Sequence, residues 1–217
     1  MFKKGGSKMK AAERRQNLKE ALITAAERTI ARQGLQGLRA RDLADKVGCA
    51  VGAIYNVVAD LDELILLVNS RTMAALERGL TEAARIDDRL VGPEGAIERL
   101  ERLSMVYTDF AATNTLRWRA LYEHRLPEDY PLPAWYSEEL MRVFSYVEDP
   151  LRMLQPQASP ERIALIARSL VSAVHGIVSL GLEEKLYALP LTSLREQVTF
   201  FVSAVGRGLM LSIGPTA

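Results

Sequence analysis

The sequence predicts an all-α protein, with a three-helix N-terminal unit followed by six further helices. Apolar residues recur at i, i+3 and i+4 through most of the chain. No segment alternates as a half-buried strand does. Gly, Pro and Ser/Asp stop and start signals break the helical pattern at regular points.

The first helix is expected over residues 11–32, where Leu18, Ala21, Leu22, Ala25, Ala26 and Ile30 share one face. Gly34 ends it, because glycine takes the left-handed conformation at little cost. Residues 1–10 carry four lysines and are expected to be a flexible basic arm. Two short helices follow, over residues 40–47 and 51–57. A fourth opens at Asp60, with Glu63 three residues on as a capping box, and runs to about Ile86. Pro93 suits the first turn of a fifth, to about Ala112. Asn114 caps a shorter sixth, and the prolines of "LPEDYPLP" make a loop. The seventh starts near Pro133 and must stop or kink near Pro150. Ser159 and Pro160 open the eighth, to about Leu186. Ser193 and Glu196 read as a second capping box, opening a ninth that ends near Leu211.

Of the 217 residues, 48% are hydrophobic and 25% charged, which suits a globular chain with a real core. The single Cys49 excludes a disulfide within the chain and fits a reducing compartment. Cationic residues at the N-terminus are not followed by the apolar run of a secretory signal. The longest nearly apolar run, residues 169–182, reads as too short and too polar to span a bilayer. A cytoplasmic location with no membrane partner is the expectation.

The net charge of +1 hides an asymmetry: residues 1–60 hold 12 Lys/Arg against 6 Asp/Glu, and the remainder 16 against 21. A basic first quarter either meets a polyanion or is a solvated tail.

Residues 41–58, "RDLADKVGCAVGAIYNVV", have helix-turn-helix punctuation. Ala44 lets two short helices cross closely, and Gly48 supplies positive φ at the turn. Leu43, Val47, Ile54 and Val58 give the apolar faces that pack the pair on the first helix. Together with "ALITAAERTIARQG" and "ELI", this stretch resembles the tetracycline-repressor family of bacterial transcription regulators. The match lies in an Ala-x-x-x-Gly turn and a Leu/Ile-Tyr pair in the third helix, here Ile54-Tyr55. "VSAVHGIVSLGL" also looks like a subgroup marked by Trp-His-Gly, with Val174 in place of Trp.

The resemblance implies a three-helix helix-turn-helix DNA-binding domain, residues 1–58, and a six-helix ligand-binding and dimerisation domain, residues 59–217. It implies a homodimer on a palindromic operator of double-stranded DNA, released by a small-molecule effector. Some positions depart from the family pattern. Ala50 stands where Ser or Thr usually caps the recognition helix, which loses about 1 kcal/mol. Val57-Val58 replaces His/Tyr-Phe, Leu61 replaces a phosphate-binding Lys, and Arg39 replaces a Thr.

The expected DNA-contacting set is Arg39, Arg41, Lys46, Ala50, Val51, Ala53, Tyr55 and Asn56. Asn56 can read adenine bidentately, Tyr55 suits phosphate, and Val51 and Ala53 offer contact to thymine methyls. Arg39, Arg41, Lys46 and the N-terminal lysines supply backbone charge. The alternative for the arginines is plain solvation, and for Tyr55 packing on the first helix.

Met105, Phe110, Trp118, Tyr122, Trp135, Phe144 and His175 form the candidate effector pocket, since aromatic and Met lining suits a mostly apolar molecule. Each is equally readable as core. His124 is expected on a solvated face and Cys49 as a small buried residue. Gly176, Ser179, Phe201, Val205, Gly208 and Leu209 are the candidate dimer interface, on two helices with small residues at crossing positions. Intrachain packing of the same helices is the alternative.

No metal-ligand spacing and no cofactor motif is present, and no nucleophile or acid–base constellation points to an enzyme. A ligand-responsive regulator, a repressor by resemblance, is the leading expectation. Its rival is a small-molecule-binding helical dimer whose DNA domain is weakened or needs a partner protein.

Overall fold

The computed structural model describes residues 5–85, 92–183 and 190–211. Among them are nine α-helices, one short 3-10 turn and no strand. They are α1 (Gly5–Gln33), α2 (Ala40–Val47), α3 (Val51–Ile54), α4 (Leu61–Ala83), α5 (Gly92–Thr113), α6 (Thr115–Glu123), α7 (Ala134–Leu154), α8 (Pro160–Gly181) and α9 (Leu191–Leu211). The expected ends of α4 and α8, Ile86 and Leu186, lie outside the described residues. The chain divides into two units: Met1–Thr72 with Asn114–Leu132, and Met73–Thr113 with Pro133–Ala217.

The first unit is built around α1. Its Leu22, Ile23, Ala26 and Ile30 are buried with Leu43 and Ala44 of α2, Ile54 of α3, Val57, Val58, and Leu64 and Val68 of α4. The expected apolar set thus forms one core, with Val47 and Cys49 packed against it. Gly34 (φ +68°) ends α1, and its N–H donates to the Ile30 carbonyl at 2.9 Å. Gly48 (φ +70°) is the left-handed C-cap of α2, as the turn requires. Residues 5–10 continue α1 as helix, which corrects the expected flexible arm; residues 1–4 lie outside the described residues.

The α4 start is capped as its sequence asks, with one difference. The Glu63 N–H donates to Asp60 Oδ1 at 2.7 Å, but the Glu63 carboxylate accepts from Ala59 rather than Asp60, at 2.5 Å. Ionic contacts tie this unit together. Arg71 pairs with Glu20 and with Glu27 at 3.2 Å, and Arg117 of α6 reaches Glu27 at 2.8 Å.

The second unit packs α5 against α7 and α9, and α8 against α7 and α9. Ser159 caps α8 by accepting the Arg162 N–H at 3.3 Å, with Pro160 in the first turn. Two local signals give way here. α7 does not stop at Pro150 but runs four residues further, to Leu154. A helix-interior proline costs about 3 kcal/mol or more. Burial of Leu151 and Leu154, both 0% exposed, contributes about 1.5–3 kcal/mol each and offsets it. Ser193 and Glu196 are not a cap, because α9 already begins at Leu191, two residues ahead of Ser193. Pro190 accepts the Leu194 N–H at 3.0 Å, and Leu194, Val198 and Val202 are the buried stripe that sets the register.

The apolar run of residues 169–182 lies almost wholly within α8, which has 22 residues. By length and composition α8 is long and apolar enough to cross a membrane, which corrects the expectation from the run alone. Its Ile163, Ala167, Leu170, Val174 and Val178 are buried inside the second unit.

Candidate functional site

The helix-turn-helix is held from below by its core residues, and this orients α3. Ile54 is fully buried and Val57 and Val58 nearly so, while Val51, Gly52, Tyr55 and Asn56 face outward. Tyr55 is 49% exposed, so it does not pack on α1. Ala53 is half-buried. α3 is shorter than expected, ending at Ile54 and continuing as a turn in which Asn56 and Val57 donate to Ala53 and Ile54 at 3.3 and 2.9 Å. Ala50 holds the extended N-cap conformation (φ −71°, ψ 147°) but has no side-chain acceptor for the orphan N–H groups.

Around α3 the cations divide. Arg39, the N-cap of α2, and Arg41 are exposed. Lys46 instead donates to Thr29 Oγ1 at 2.8 Å, and that hydroxyl donates to the Ala25 carbonyl at 2.8 Å. The periodicity of α1 gave no sign of this contact, because Thr29 lies beside the apolar stripe. The N-terminus of α4, just past α3, is acidic, with Asp60, Asp62 and Glu63.

His124 is not on a solvated face: its side chain is 9% exposed, with Nε2 3.3 Å from Asp62 Oδ1. It follows α6 and tucks against the start of α4, where Tyr130 donates to Asp60 Oδ1 at 3.4 Å. Burial lowers the His124 pKa, with Asp62 and Asp60 opposing in part. Burial and the same carboxylates raise that of Tyr130.

The candidate pocket residues do not all come together. Trp118 and Tyr122, on α6, belong to the first unit, with ring centroids 5.7 Å apart, Trp118 buried and Tyr122 exposed. α6 packs on α1. Met105, Phe110, Trp135, Phe144 and His175 belong to the second unit. Phe110 packs with Leu76, Leu80, Leu103, Val106, Tyr107, Val143 and Tyr146. Met105 Sδ lies 3.8 Å from Thr199 Oγ1. Trp135 stands at the α7 start, edge-on to buried Tyr136 at 5.5 Å. Phe144 is half-buried.

The polar focus of this unit is a pair of which spacing showed only one member: Tyr107 Oη lies 2.8 Å from His175 Nδ1. Burial lowers the His175 pKa, which favours the neutral ring. A neutral imidazole and a phenol form a donor–acceptor pair able to orient a polar group on an apolar molecule. Tyr107 was findable, since it falls four residues after Leu103 on the α5 face that carries Phe110.

The glycines of the last two helices separate into two kinds. A Cβ on Gly206 would come 2.9 Å from Ile97 Cγ1, and one on Gly181 2.5 Å from Leu194 Cδ1, so these serve packing within the chain. A Cβ on Gly176 or Gly208 would meet no atom of a neighbouring element within 4 Å. Ser179, Phe201, Val205 and Leu209 are half-buried, and the Leu209 carbonyl accepts from the Gln155 side chain. The largest exposed apolar groups on α8 and α9 are Leu165, Leu180 (60%), Phe200 (77%) and Leu211. Phe200 lies in a shallow groove along α9 with Thr199, Ser203, Ala204 and Arg207. Among the described residues no group of three or more His, Cys, Asp or Glu side chains is placed to hold a metal ion.

With this geometry in view, the comparisons define a class. Residues 100–205 match the family model of the tetracyclin repressor-like C-terminal domain. Over that stretch the chain is similar to the C-terminal domain of tetracycline-repressor-type proteins, and the stretch follows a helix-turn-helix in the sequence. Solved structures of the same fold span nearly the whole chain. A protein from Rhodococcus sp. RHA1 is 20% identical, with TM-score 0.67 over 89% of this chain and 95% of that one. BioQ, solved with its natural double-stranded DNA operator, is 16% identical, with TM-score 0.60 over 89% and 98%. RolR, solved with resorcinol, is 15% identical, with TM-score 0.61 over 94% and 98%. At these identities the likeness is one of fold. No curated protein matches the chain in sequence.

Proposed function

We propose that the chain is a ligand-responsive transcriptional regulator of the cytoplasm, acting as a repressor that binds a palindromic operator as a homodimer. The observation that carries this reading is α3. Ile54, Val57 and Val58 are buried beneath it while Val51, Tyr55 and Asn56 face outward, the arrangement of a helix offered to a major groove. The operator complex of BioQ, a protein of the same fold, supports it. Asn56 and Tyr55 supply the polar contacts, with Arg39 and Arg41 on phosphates. Lys46 is exposed as well, and with only one of its three N–H donors on Thr29 it can join them.

The second unit takes the effector, a mostly apolar small molecule with one polar group, met by Tyr107 and His175 beside Met105 and Phe110. RolR, which holds resorcinol, supports a small-molecule site in this fold. Dimerisation uses the exposed faces of α8 and α9, where Phe200, Leu180 and Leu165 stand beside open Gly176 and Gly208. A second copy burying them forms a four-helix interface.

Selection of duplexes from a random library at two salt concentrations tests the reading. A palindrome with half-sites about one helical turn apart, some 34–36 Å, is the expected result. The uncapped, four-residue α3 favours one rival, a helical ligand-binding dimer with a weakened DNA domain. Salt-labile binding without any motif would select that rival.

A further inference from the structure

A stretch of the longest helix in the first unit, residues 10–17, is exposed throughout. α1 has 29 residues, yet burial begins only at Leu18. In residues 5–17 the charges are Lys8, Lys10, Arg14 and Arg15 against Glu13. No acidic residue occupies the first turn. Cations at a helix N-terminus oppose the macrodipole. A polyanion would offset that cost.

The position of the segment narrows the choice of polyanion. Lys19 Nζ pairs with Glu63 Oε1 at 3.1 Å, so α1 leaves the core beside the start of α4, just past Tyr55 and Asn56. That edge itself carries Asp60, Asp62 and Glu63, and its Lys19 is paired with Glu63. The exposed segment adds cations there, with its start at Gly5 about 21 Å beyond Lys19 at 1.5 Å per residue. Over residues 5–17 its apolar side chains are Met9, Ala11 and Ala12, too few for an apolar face in a lipid surface.

We propose that residues 5–17 are a preformed helical grip on duplex DNA flanking the operator, with Lys10, Arg14 and Arg15 on phosphates and no reading of sequence. This rests on the DNA-binding reading above. The grip adds affinity and salt dependence while leaving the recognised motif unchanged.

The test uses the full-length protein and the duplex recovered by selection, with flanks of about ten base pairs and trimmed to the motif. K10Q/R14Q/R15Q is expected to select the same motif. The slope of log affinity against log salt should become shallower by about 0.9 for each phosphate no longer neutralised. Trimming the flanks should weaken the wild type and leave the triple variant unaffected. Glu13→Gln should steepen the slope, which guards against a triple variant that merely unwinds the segment. Unchanged slopes in both variants, with unchanged flank dependence, would overturn the proposal. So would loss, in the triple variant, of binding to phosphatidylglycerol vesicles while its DNA slope stays that of the wild type. A wild type that binds no duplex at any salt would overturn the regulator reading itself, a distinguishable result.

Discussion

At the scale of single residues, Ala50 and the two histidines carry the sharpest consequences. Ala50 already has the backbone conformation of an N-cap and lacks only the acceptor. Ala50→Ser is therefore expected to raise stability by about 0.5–2 kcal/mol, read as an increase in unfolding free energy in urea. A neutral or negative effect would show that α3 is held by its buried residues alone. His124 and His175 are both held below their usual pKa by burial. Their neutral forms favour the fold, so this stability is present above the unfolded value near 6.5 and is lost as pH falls through the lowered folded values. Melting temperature should drop as pH falls below about 6.5, and the drop should flatten in H124N/H175N relative to wild type. An equally steep fall in the double variant would assign it to other groups.

At the scale of elements, α7 and α1 show how packing overrides local rules. Pro150 is a stop signal by its missing N–H, yet the helix continues because the two leucines beyond it are fully buried. Leu151→Ala should cost about 2–5 kcal/mol and release the last turn of α7. Loss of stability together with faster amide exchange confined to residues 151–154 would be the signature. A small cost with intact protection would show that the turn is held by something else. In α1 the opposite holds: the helix outruns its own packing. The apolar stripe from Leu18 to Ile30 was legible from spacing, but the helical state of residues 5–10 was not, since glycine and lysine there read as an arm. The capping signals fared by context too. Ser159 caps, because Pro160 follows and Ile163 is buried. Ser193 does not, because the buried stripe of α9 starts the helix ahead of it.

At the scale of the whole molecule, the proposed assembly depends on side chains the folded chain leaves exposed. Phe200 is 77% exposed on α9. Phe200→Glu should convert the dimer to monomer in sedimentation, with operator affinity falling more than tenfold because two half-sites are no longer held together. A dimeric variant would move the interface elsewhere on the chain. The glycines argue for the same division of surfaces. Gly206 and Gly181 are filled from within by Ile97 and Leu194, which leaves Gly176 and Gly208 on the open side.

The all-helical class, the helix-turn-helix with its Gly48 turn, and the core under α3 were determined by the sequence alone. Each rests on contacts between residues close along the chain, where a period of 3.6 and a single left-handed glycine are sufficient signals. Only the tertiary structure decided that Trp118 and Tyr122 belong to the unit built on α1, that Tyr107 joins His175, that Thr29 holds Lys46, and that His124 is buried by Asp62. All of these turn on which helices lie side by side. Residue spacing fixes the face of a helix but not the neighbour that the face meets.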